Sequence, residues 1–215
     1  MKRMKKCFEY QKKLHDLLKD KLYIGITEKE IEGIIASLGV KWQGDIVSGE
    51  RSANIEGAAT ERKISEGDAL IIDIQFFDGE LWSDITRTYF FGKPQDLAEK
   101  LYKKTEKALK KAENLLKNGT KCSEIYAFLQ KEIDTEYAFT HHAGHLIGVE
   151  PLIKPQFLPD STESLKSGMM VTLEPGVYVP DRFGIRLENN YLITDSGFEK
   201  LFDYTQDIND FIIMR

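Results

Sequence analysis

The chain has 215 residues, of which 41% are hydrophobic and 30% are charged. It is long enough to bury one large core, and we expect a single domain over residues 1–215. Its net charge of −5 and its pI near 5.5 argue against nucleic acid as a main partner, because phosphate binding needs a basic patch.

Two cysteines, Cys7 and Cys122, are too few for a disulfide framework and are typical of a reducing compartment. The basic amino terminus is followed by no apolar segment, and apolar residues nowhere run together for the roughly 18 positions that a membrane helix needs. We therefore expect a cytoplasmic protein without a membrane partner.

Four helices are predicted along the chain. Thr27 to Glu30 form a capping box that opens a helix over residues 31–38, with Gly39 as its stop. Residues 96–117 form a long helix, and Ser123 caps another that runs to residue 133. Helical spacing of apolar residues also predicts an amphipathic helix over residues 2–20, carrying Met4, Phe8, Leu14, Leu17 and Leu18.

A β-hairpin is the sharpest prediction. Runs 70–77 and 80–91 are rich in β-branched and aromatic residues, and Asp78-Gly79 between them fits a two-residue type I′ turn. With that turn, Asp73 lies directly opposite Asp84. Like charges in such a position repel, so we expect a cation between them.

A second hairpin is predicted from residues 169–179 and 184–194, and it sets Glu174 opposite Glu188. Pro175 and Gly176 indicate an irregularity in its first strand. A short strand over residues 137–140 leads into the segment HHAGH. The order of elements suggests a rough duplication of a helix-helix-hairpin unit, with one carboxylate pair on each hairpin.

A dinuclear metal site is predicted if five side chains converge. Four carboxylates give a charge of −4, which two divalent cations cancel, whereas one cation leaves −2 in a buried place. Oxygen ligands with one imidazole suit Mn²⁺, Co²⁺, Fe²⁺ or Zn²⁺ alike. Two such ions would hold a bridging hydroxide, a nucleophile for hydrolysis. The five residues are Asp73, Asp84, His145, Glu174 and Glu188.

Other interpretations of single residues remain open. A retaining glycosidase also has two carboxyl groups about 5 Å apart, but it would leave His145 and the second hairpin without a role. Adjacent His141 and His142 point to opposite faces of a strand and are each predicted to be structural. Packing roles are predicted for Tyr178 and Trp82, and His15, on a helix amid Lys and Asp, is predicted to be solvated.

Three segments, IIDIQFFDGELWSDITRTYFFG, HHAGHLIG and VTLEPGVYVPDRFGIRLENNYLIT, closely resemble the metal-binding blocks of the methionine aminopeptidase and Xaa-Pro peptidase superfamily. The resemblance implies an α+β pita-bread fold, a pseudo-twofold antiparallel sheet with helices on its outer face. It also implies that Asp84 and Glu188 bridge the two metals, that His145 and Glu174 complete one metal's ligands, and that Glu174 is the proton shuttle.

The short EPG-to-R-x-E spacing and the SDITRT segment resemble the Xaa-Pro branch of this superfamily. The chain has no room for the amino-terminal domain of most members, and we expect an isolated catalytic domain that can form a homodimer. Arg186 aligns with a family arginine that could orient a substrate carboxylate. The alternative for Arg186 is a salt bridge to Glu188 or Asp84.

Two substrate-contacting histidines of the family are missing. Glu56, or Ile55 with a one-residue shift, stands at the first position, Leu152 at the second, and Leu146 replaces a usual glycine. An imidazole on a scissile carbonyl contributes about 10² to 10³ in rate. Three functions therefore stay open: an exopeptidase for short peptides, preferably at Xaa-Pro bonds, a hydrolase of a non-peptide small substrate, and a peptide-binding member with little activity.

Overall fold

Helices and strands alternate in blocks, as the sequence predicts for an α+β protein. The computed structural model describes residues 5–215, with side chains from residue 6 onward. The helices are α1 (Lys5–Lys21), α2 (Glu28–Ala36), α3 (Asp96–Ala112) and α4 (Cys122–Ile133). Three 3₁₀ helices in this part of the chain cover Gly49–Asn54, Glu113–Leu115 and Ile208–Phe211.

Eleven strands form in the described part of the chain. Before α3 lie β1 (Lys41–Ser48), β2 (Ala69–Phe77) and β3 (Trp82–Phe91). After α4 come β4 (His145–Leu146), β5 (Ile153–Gln156), β6 (Met170–Leu173), β7 (Gly176–Val179), β8 (Phe183–Arg186), β9 (Asn189–Ile193), β10 (Phe198–Lys200) and β11 (Ile212–Ile213). They make a four-stranded sheet in the order β1-β2-β3-β11, a five-stranded sheet in the order β10-β9-β6-β4-β5, and the ribbon β7-β8.

Hydrogen bonds join the two halves where β3 meets β8 and β9. The Asp84 amide donates to Asn190 Oδ1 over 2.9 Å, and Asn190 Nδ2 donates back to the Asp84 carbonyl over 2.7 Å. The Glu188 amide also donates to the Thr86 carbonyl over 3.1 Å. The two carboxylate-bearing hairpins are thereby fixed side by side.

The helices cover the sheets with two separate cores. One core packs α1 and α2 on the first sheet through residues such as Leu14, Leu18 and Ile31. The other packs α3 and α4 on the second half, with Leu109, Leu129 and Val171 among its members. No described helix is long and apolar enough to cross a membrane.

His15 on α1 is fully buried, so the prediction that it is solvated is wrong. Its Nδ1 lies 2.8 Å from the Tyr89 hydroxyl, and its ring packs against Phe211. Burial lowers the pKa of His15 well below its ordinary value, which keeps the imidazole neutral. The buried face of α1 also carries Gln11, whose amide donates to the Ile74 carbonyl, so this face is wider than its apolar residues alone indicate.

The capping box of α2 is confirmed, since Thr27 Oγ1 accepts from the Glu30 amide and Glu30 Oε2 accepts from the Thr27 amide. The helix begins at Glu28 and ends at Ala36, and Gly39 follows with φ +65°. The predicted helix over residues 2–20 is α1, and Met4 lies outside the described residues.

Two predictions in the second half are wrong. Helix α4 begins at Cys122 without a side-chain cap from Ser123, because the carbonyl of Glu163 accepts the Cys122 amide from outside the helix. Residues 137–140 form only a single bridge to β7, between Ala138 and Val177, and the Phe139 carbonyl accepts from the Gln130 side chain. The long predicted helix ends at Ala112 and continues as the 3₁₀ turn Glu113–Leu115.

The register of the first hairpin differs from the prediction by two residues. Phe77 pairs with Trp82, so Asp73 lies opposite Thr86 and Asp84 lies opposite Gln75. The cause is a wider turn, in which the Asp78 carboxylate accepts the amides of Glu80 and Leu81. A shift of two keeps side chains on the same face. Asp73 and Asp84 are therefore diagonal neighbours instead of a facing pair.

The register of the second hairpin is confirmed on both sides of its irregularity. Thr172 pairs with Asn190, and Val179 pairs with Phe183. Between these ladders the chain breaks at Pro175, whose carbonyl accepts the Leu187 amide over 3.2 Å. Glu174 and Glu188 occupy this break, where they are free of the regular pairing.

Strand β1 lies in a segment for which the sequence predicts no element. It pairs antiparallel with β2 and sets Asp45 opposite Asp73. Gly44 allows this close approach: its φ is +141°, and a Cβ there would lie 1.9 Å from the Asp73 carbonyl oxygen. Gly44, in the interior of β1, is thus the one feature of the sequence that indicates the close approach of β1 to β2.

Gly44→Ala is therefore expected to destabilise the protein by at least about 3 kcal/mol, because the backbones of β1 and β2 must separate. Gly33→Ala is the matched control: Gly33 is exposed in α2 with open space around it, so alanine should stabilise the fold by about 0.5–1 kcal/mol. Urea unfolding of the three proteins measures both values. Equal stabilities for the two variants would contradict the close approach at Gly44.

Candidate metal centre

A cavity of about 190 Å³ lies where the two halves meet, and four of the five predicted ligands line it. Glu188 lies behind its wall and is only 1% exposed. Asp73 is on β2, Asp84 on β3 and His145 at the start of β4, whereas Glu174 and Glu188 come from the break in the second hairpin. Other residues around the cavity include Asp45, Ile55, Glu56, His141, His142 and Leu152.

Three of the candidate ligands come within reach of one cation, and a fourth, Glu174, lies next to them. His145 Nε2 lies 3.4 Å from Asp84 Oδ2 and 3.5 Å from Glu174 Oε1. One ligand atom each of Asp84, His145 and Glu188 lies within 4.8 Å of the others. Side chains that are far apart in sequence thus meet at one cavity.

His145 is oriented as a ligand by its backbone contacts. Its Nδ1 is 2.8 Å from the carbonyl oxygen of Leu146, and because a carbonyl only accepts, Nδ1 carries the proton. Its own amide donates to Thr172 Oγ1. The Nε2 lone pair is therefore directed at two carboxylates, an arrangement that requires a proton or a cation between them.

Charge repulsion in the cluster shifts the pKa values of its members. Burial, followed by the charge of Asp73, raises the pKa of Asp84 to about 7. Burial and the charge of Asp84 raise the pKa of Glu188 well above its ordinary value. For His145, burial alone would lower the pKa, but Asp84 and Glu174 raise it to about 9. The raised pKa values of Asp84 and Glu188 indicate that these two carboxylates lack enough positive charge to offset burial and mutual repulsion.

Two carboxylate oxygens in the cluster, Asp84 Oδ1 and Glu188 Oε1, are buried without a hydrogen-bond partner among the described residues. Leaving such an atom unpaired is costly, and a coordinated cation removes the cost. Four carboxylates and one neutral imidazole are also donors that divalent metal ions prefer. The residues present therefore fit a divalent metal site.

Neighbouring polar groups hold the carboxylates in place. Gln75 Nε2 donates to Asp84 Oδ2 over 2.6 Å, and the Thr86 hydroxyl donates to Glu188 Oε2 over 2.8 Å. The Thr172 hydroxyl donates to Glu174 Oε1 over 3.2 Å. Such contacts orient ligands before a metal arrives.

His141 and His142 both line the cavity, contrary to the prediction that they point to opposite faces of a strand. No strand forms there. His142 Nδ1 lies 3.0 Å from Glu174 Oε1, although its orientation does not make a good hydrogen bond. Burial would raise the pKa of Glu174, but His142 and His145 lower it to about 2. The one feature of the sequence that indicates a place for His141 and His142 in the cavity is their closeness to the predicted ligand His145 in the segment HHAGH.

The imidazole of His141 is neutral, with one ring nitrogen donating a hydrogen bond and the other accepting one. Its Nδ1 donates to the His142 carbonyl, and its Nε2 accepts from the Tyr178 hydroxyl over 2.8 Å. Burial lowers the pKa of His141 to about 4. Tyr178 does more than the predicted packing, because its hydroxyl also accepts from Arg186 Nη1. Trp82 packs against Phe77, as predicted.

Arg186 forms an ion pair with Asp73, instead of with Glu188 or Asp84, the two partners that the sequence suggests. Its Nη2 lies 2.6 Å from Asp73 Oδ2, and its Nη1 donates to the Ile55 carbonyl over 2.8 Å. The guanidinium thus connects β8 to the loop before Glu56. Glu56 and Leu152 both line the cavity, as does Ile55.

A family model described as "Metallopeptidase family M24" matches residues 2–195. The "Xaa-Pro dipeptidase" of Pyrococcus furiosus is 36% identical over 160 residues, which are 73% of this chain and 46% of that protein. The chain thus spans about half the length of such curated relatives.

Two solved structures superpose closely. The prolidase from Pyrococcus horikoshii has a TM-score of 0.88 and 30% identity, and the match covers 95% of this chain and 62% of the other. The Xaa-Pro dipeptidase from Bacillus anthracis has a TM-score of 0.91 and 29% identity, with 98% and 61% covered.

Proposed function

Since this chain belongs to metallopeptidase family M24 and has the α+β pita-bread fold of the Xaa-Pro peptidases, we propose that it is a metal-dependent exopeptidase that cleaves the first peptide bond of short peptides. The observation that carries the proposal is that four ligand-type residues line one cavity with Glu188 behind its wall, and that buried oxygens of Asp84 and Glu188 are left unpaired among the described residues. We propose two divalent ions per chain, of Mn²⁺, Co²⁺, Fe²⁺ or Zn²⁺.

Asp73, Asp84, His145, Glu174 and Glu188 would hold the ions, which when bound neutralise the carboxylates, polarise the scissile carbonyl and lower the pKa of a water molecule. Glu174 is the residue that moves protons: its Oε1 receives one from the attacking water and returns it to the departing amine. Thr172 donates to that same oxygen and fixes its direction. Hydrolysis adds one water and releases the first residue with a new carboxyl group.

Glu56 and Leu152 support a second candidate function. Both line the cavity, and by the resemblance they stand where the family has substrate-contacting histidines. Without those imidazoles, we expect hydrolysis of the peptides that the family cleaves to be slower by a factor of about 10² to 10³. The alternatives are a hydrolase with a non-peptide small substrate and a peptide-binding protein with little turnover.

Metal counting followed by an activity assay separates these functions. The protein is purified without chelator, its metals are counted per chain, and Xaa-Pro dipeptides and peptides with amino-terminal Met are assayed with added Mn²⁺ or Co²⁺. Two metals with turnover support the exopeptidase. Two metals without turnover favour the alternatives, and a chain that binds none contradicts all three.

A further inference from the structure

The cavity carries two carboxylates that are not candidate ligands, Asp45 and Glu56. The four carboxylates of the proposed metal ligands would be neutralised by two dications. Asp45 and Glu56 would then add two negative charges and Arg186 one positive charge, so the cavity that a substrate meets would remain net negative. If the proposed function holds, these two charges determine the class of peptide that this cavity takes.

Glu56 is held in place by backbone contacts on both sides. On one side, the Ile55 carbonyl accepts from Arg186, and Ile55 has a φ of +73°, an unusual conformation for a β-branched residue. On the other side, the Gly57 amide donates to Asp45 Oδ1 over 3.0 Å, and its carbonyl accepts from the Ile46 amide. The exposed Glu56 side chain therefore starts from a fixed point of the cavity wall.

Arg186, the one Arg or Lys among the described residues lining the cavity, is already paired with the carboxylate of Asp73. The residue is 3% exposed, and both terminal nitrogens of its guanidinium are engaged by Asp73, Tyr178 and the Ile55 carbonyl.

The histidines offer few ring nitrogens to a substrate carboxylate. Both ring nitrogens of His141 already have partners, and Nε2 of His145 faces the candidate ligands. His142 Nδ1 lies next to the carboxylate of Glu174. A carboxylate that entered would meet Asp45 and Glu56, whereas the one guanidinium in the cavity lining is already paired with Asp73.

The carboxylate of a bound dipeptide must lie close to the carboxylates of the cavity. It lies one residue beyond the cleaved bond, which places it within about 4 Å of that bond whichever way the peptide runs. The cavity volume of about 190 Å³ is also below the roughly 300–1,000 Å³ of ordinary ligand pockets, so only groups next to the cleaved bond fit inside.

We infer that the site takes peptides whose chain continues, or ends in an amide, beyond the cleaved bond, and that it discriminates against the free carboxylate of a dipeptide. Its preference is thus that of an aminopeptidase for dipeptides with an amidated carboxyl terminus and for peptides of three or more residues. The carboxylate of Glu56 is the specificity-determining group.

The test compares Ala-Pro with Ala-Pro-amide on the metal-loaded protein. The two substrates share the bond to be cleaved and differ only in the terminal charge. We expect kcat/KM for the amide to exceed that for the acid by about tenfold, because the carboxylate of the acid meets the charges of Asp45 and Glu56 at the cavity wall. Glu56→Gln should reduce this ratio to about threefold or less, and Glu56→Lys should favour the acid.

Glu61→Gln is the matched control, since Glu61 is an exposed carboxylate five residues along the same loop and outside the cavity. It should leave the ratio unchanged. A wild-type protein that prefers the acid, or a ratio that Glu56→Gln does not move, overturns the inference.

Binding separates failure of this inference from failure of the proposed function. If neither peptide is hydrolysed, titration calorimetry with the same two peptides measures the preference directly. Tighter binding of the amide without turnover supports the inference and overturns only the exopeptidase. Equal affinities, or binding of neither peptide, overturn the inference itself.

Discussion

Asp84→Asn is expected to lose divalent metal and, at the same time, to stabilise the metal-free protein. Asp84 is 2% exposed, and burial together with the charge of Asp73 raises its pKa to about 7, so its ionised form is disfavoured without a cation. An amide of the same shape removes the repulsion but is a poor metal ligand. At pH 8, metal affinity should fall at least about 100-fold, and the metal-free melting temperature should rise by about 2–4 °C.

Metal analysis after gel filtration and thermal melts with and without Mn²⁺ measure the two effects. Asp160→Asn is the matched control, because Asp160 is exposed and lies outside the cavity. It should change neither quantity. Unchanged metal stoichiometry in Asp84→Asn would contradict the proposed ligand role. A lower melting temperature without metal would contradict the account of charge repulsion.

Glu174→Gln is expected to reduce kcat by about 10² to 10⁴ on any peptide that the wild-type protein cleaves. Glutamine keeps one oxygen at the position of Oε1, next to the Thr172 hydroxyl, but it cannot carry a proton. The assay is run at saturating metal, and the bound metal is counted in the same samples. KM should change much less than kcat, because the step that is lost is a proton transfer.

Glu150→Gln is the control, since Glu150 is an exposed carboxylate two residues before Leu152 in sequence and does not line the cavity. Its kcat and KM should equal those of the wild-type protein. If Glu174→Gln keeps its metal and retains most of its kcat, Glu174 is not the proton carrier. A variant that loses its metal shows a ligand role only, and Glu174→Asp then tests whether a shorter carboxylate restores turnover.

The two hairpins show where a register can be predicted from sequence. The first has the stronger turn dipeptide, yet its predicted register is wrong by two residues, because the Asp78 carboxylate stabilises a wider turn. The second contains a proline and a glycine, yet its predicted register is confirmed. A turn preference is worth little energy, whereas burial of one face fixes the alternation on both hairpins. Asp73 and Asp84 therefore share a face in spite of the error.

The histidines show the limit of judging residues one at a time. His15 lies among charged residues of α1 but is fully buried beside Tyr89. A strand at residues 137–140 would make His141 and His142 diverge, but that strand does not form and both side chains turn to the cavity. Local pattern indicates which face of an element is apolar. It does not indicate which polar residues the neighbouring elements will cover.

Sequence alone determined the helices α1 to α4 through apolar periodicity, and the class of fold and the five candidate ligands through a resemblance carried by short motifs, because both signals are properties of short segments. Only the tertiary structure decided which groups face one another: that Arg186 pairs with Asp73, that β1 closes one side of the cavity through Gly44, and that Glu56 stands in its wall. These contacts join segments up to 131 residues apart. Their geometry depends on how the two halves dock, which no single segment encodes.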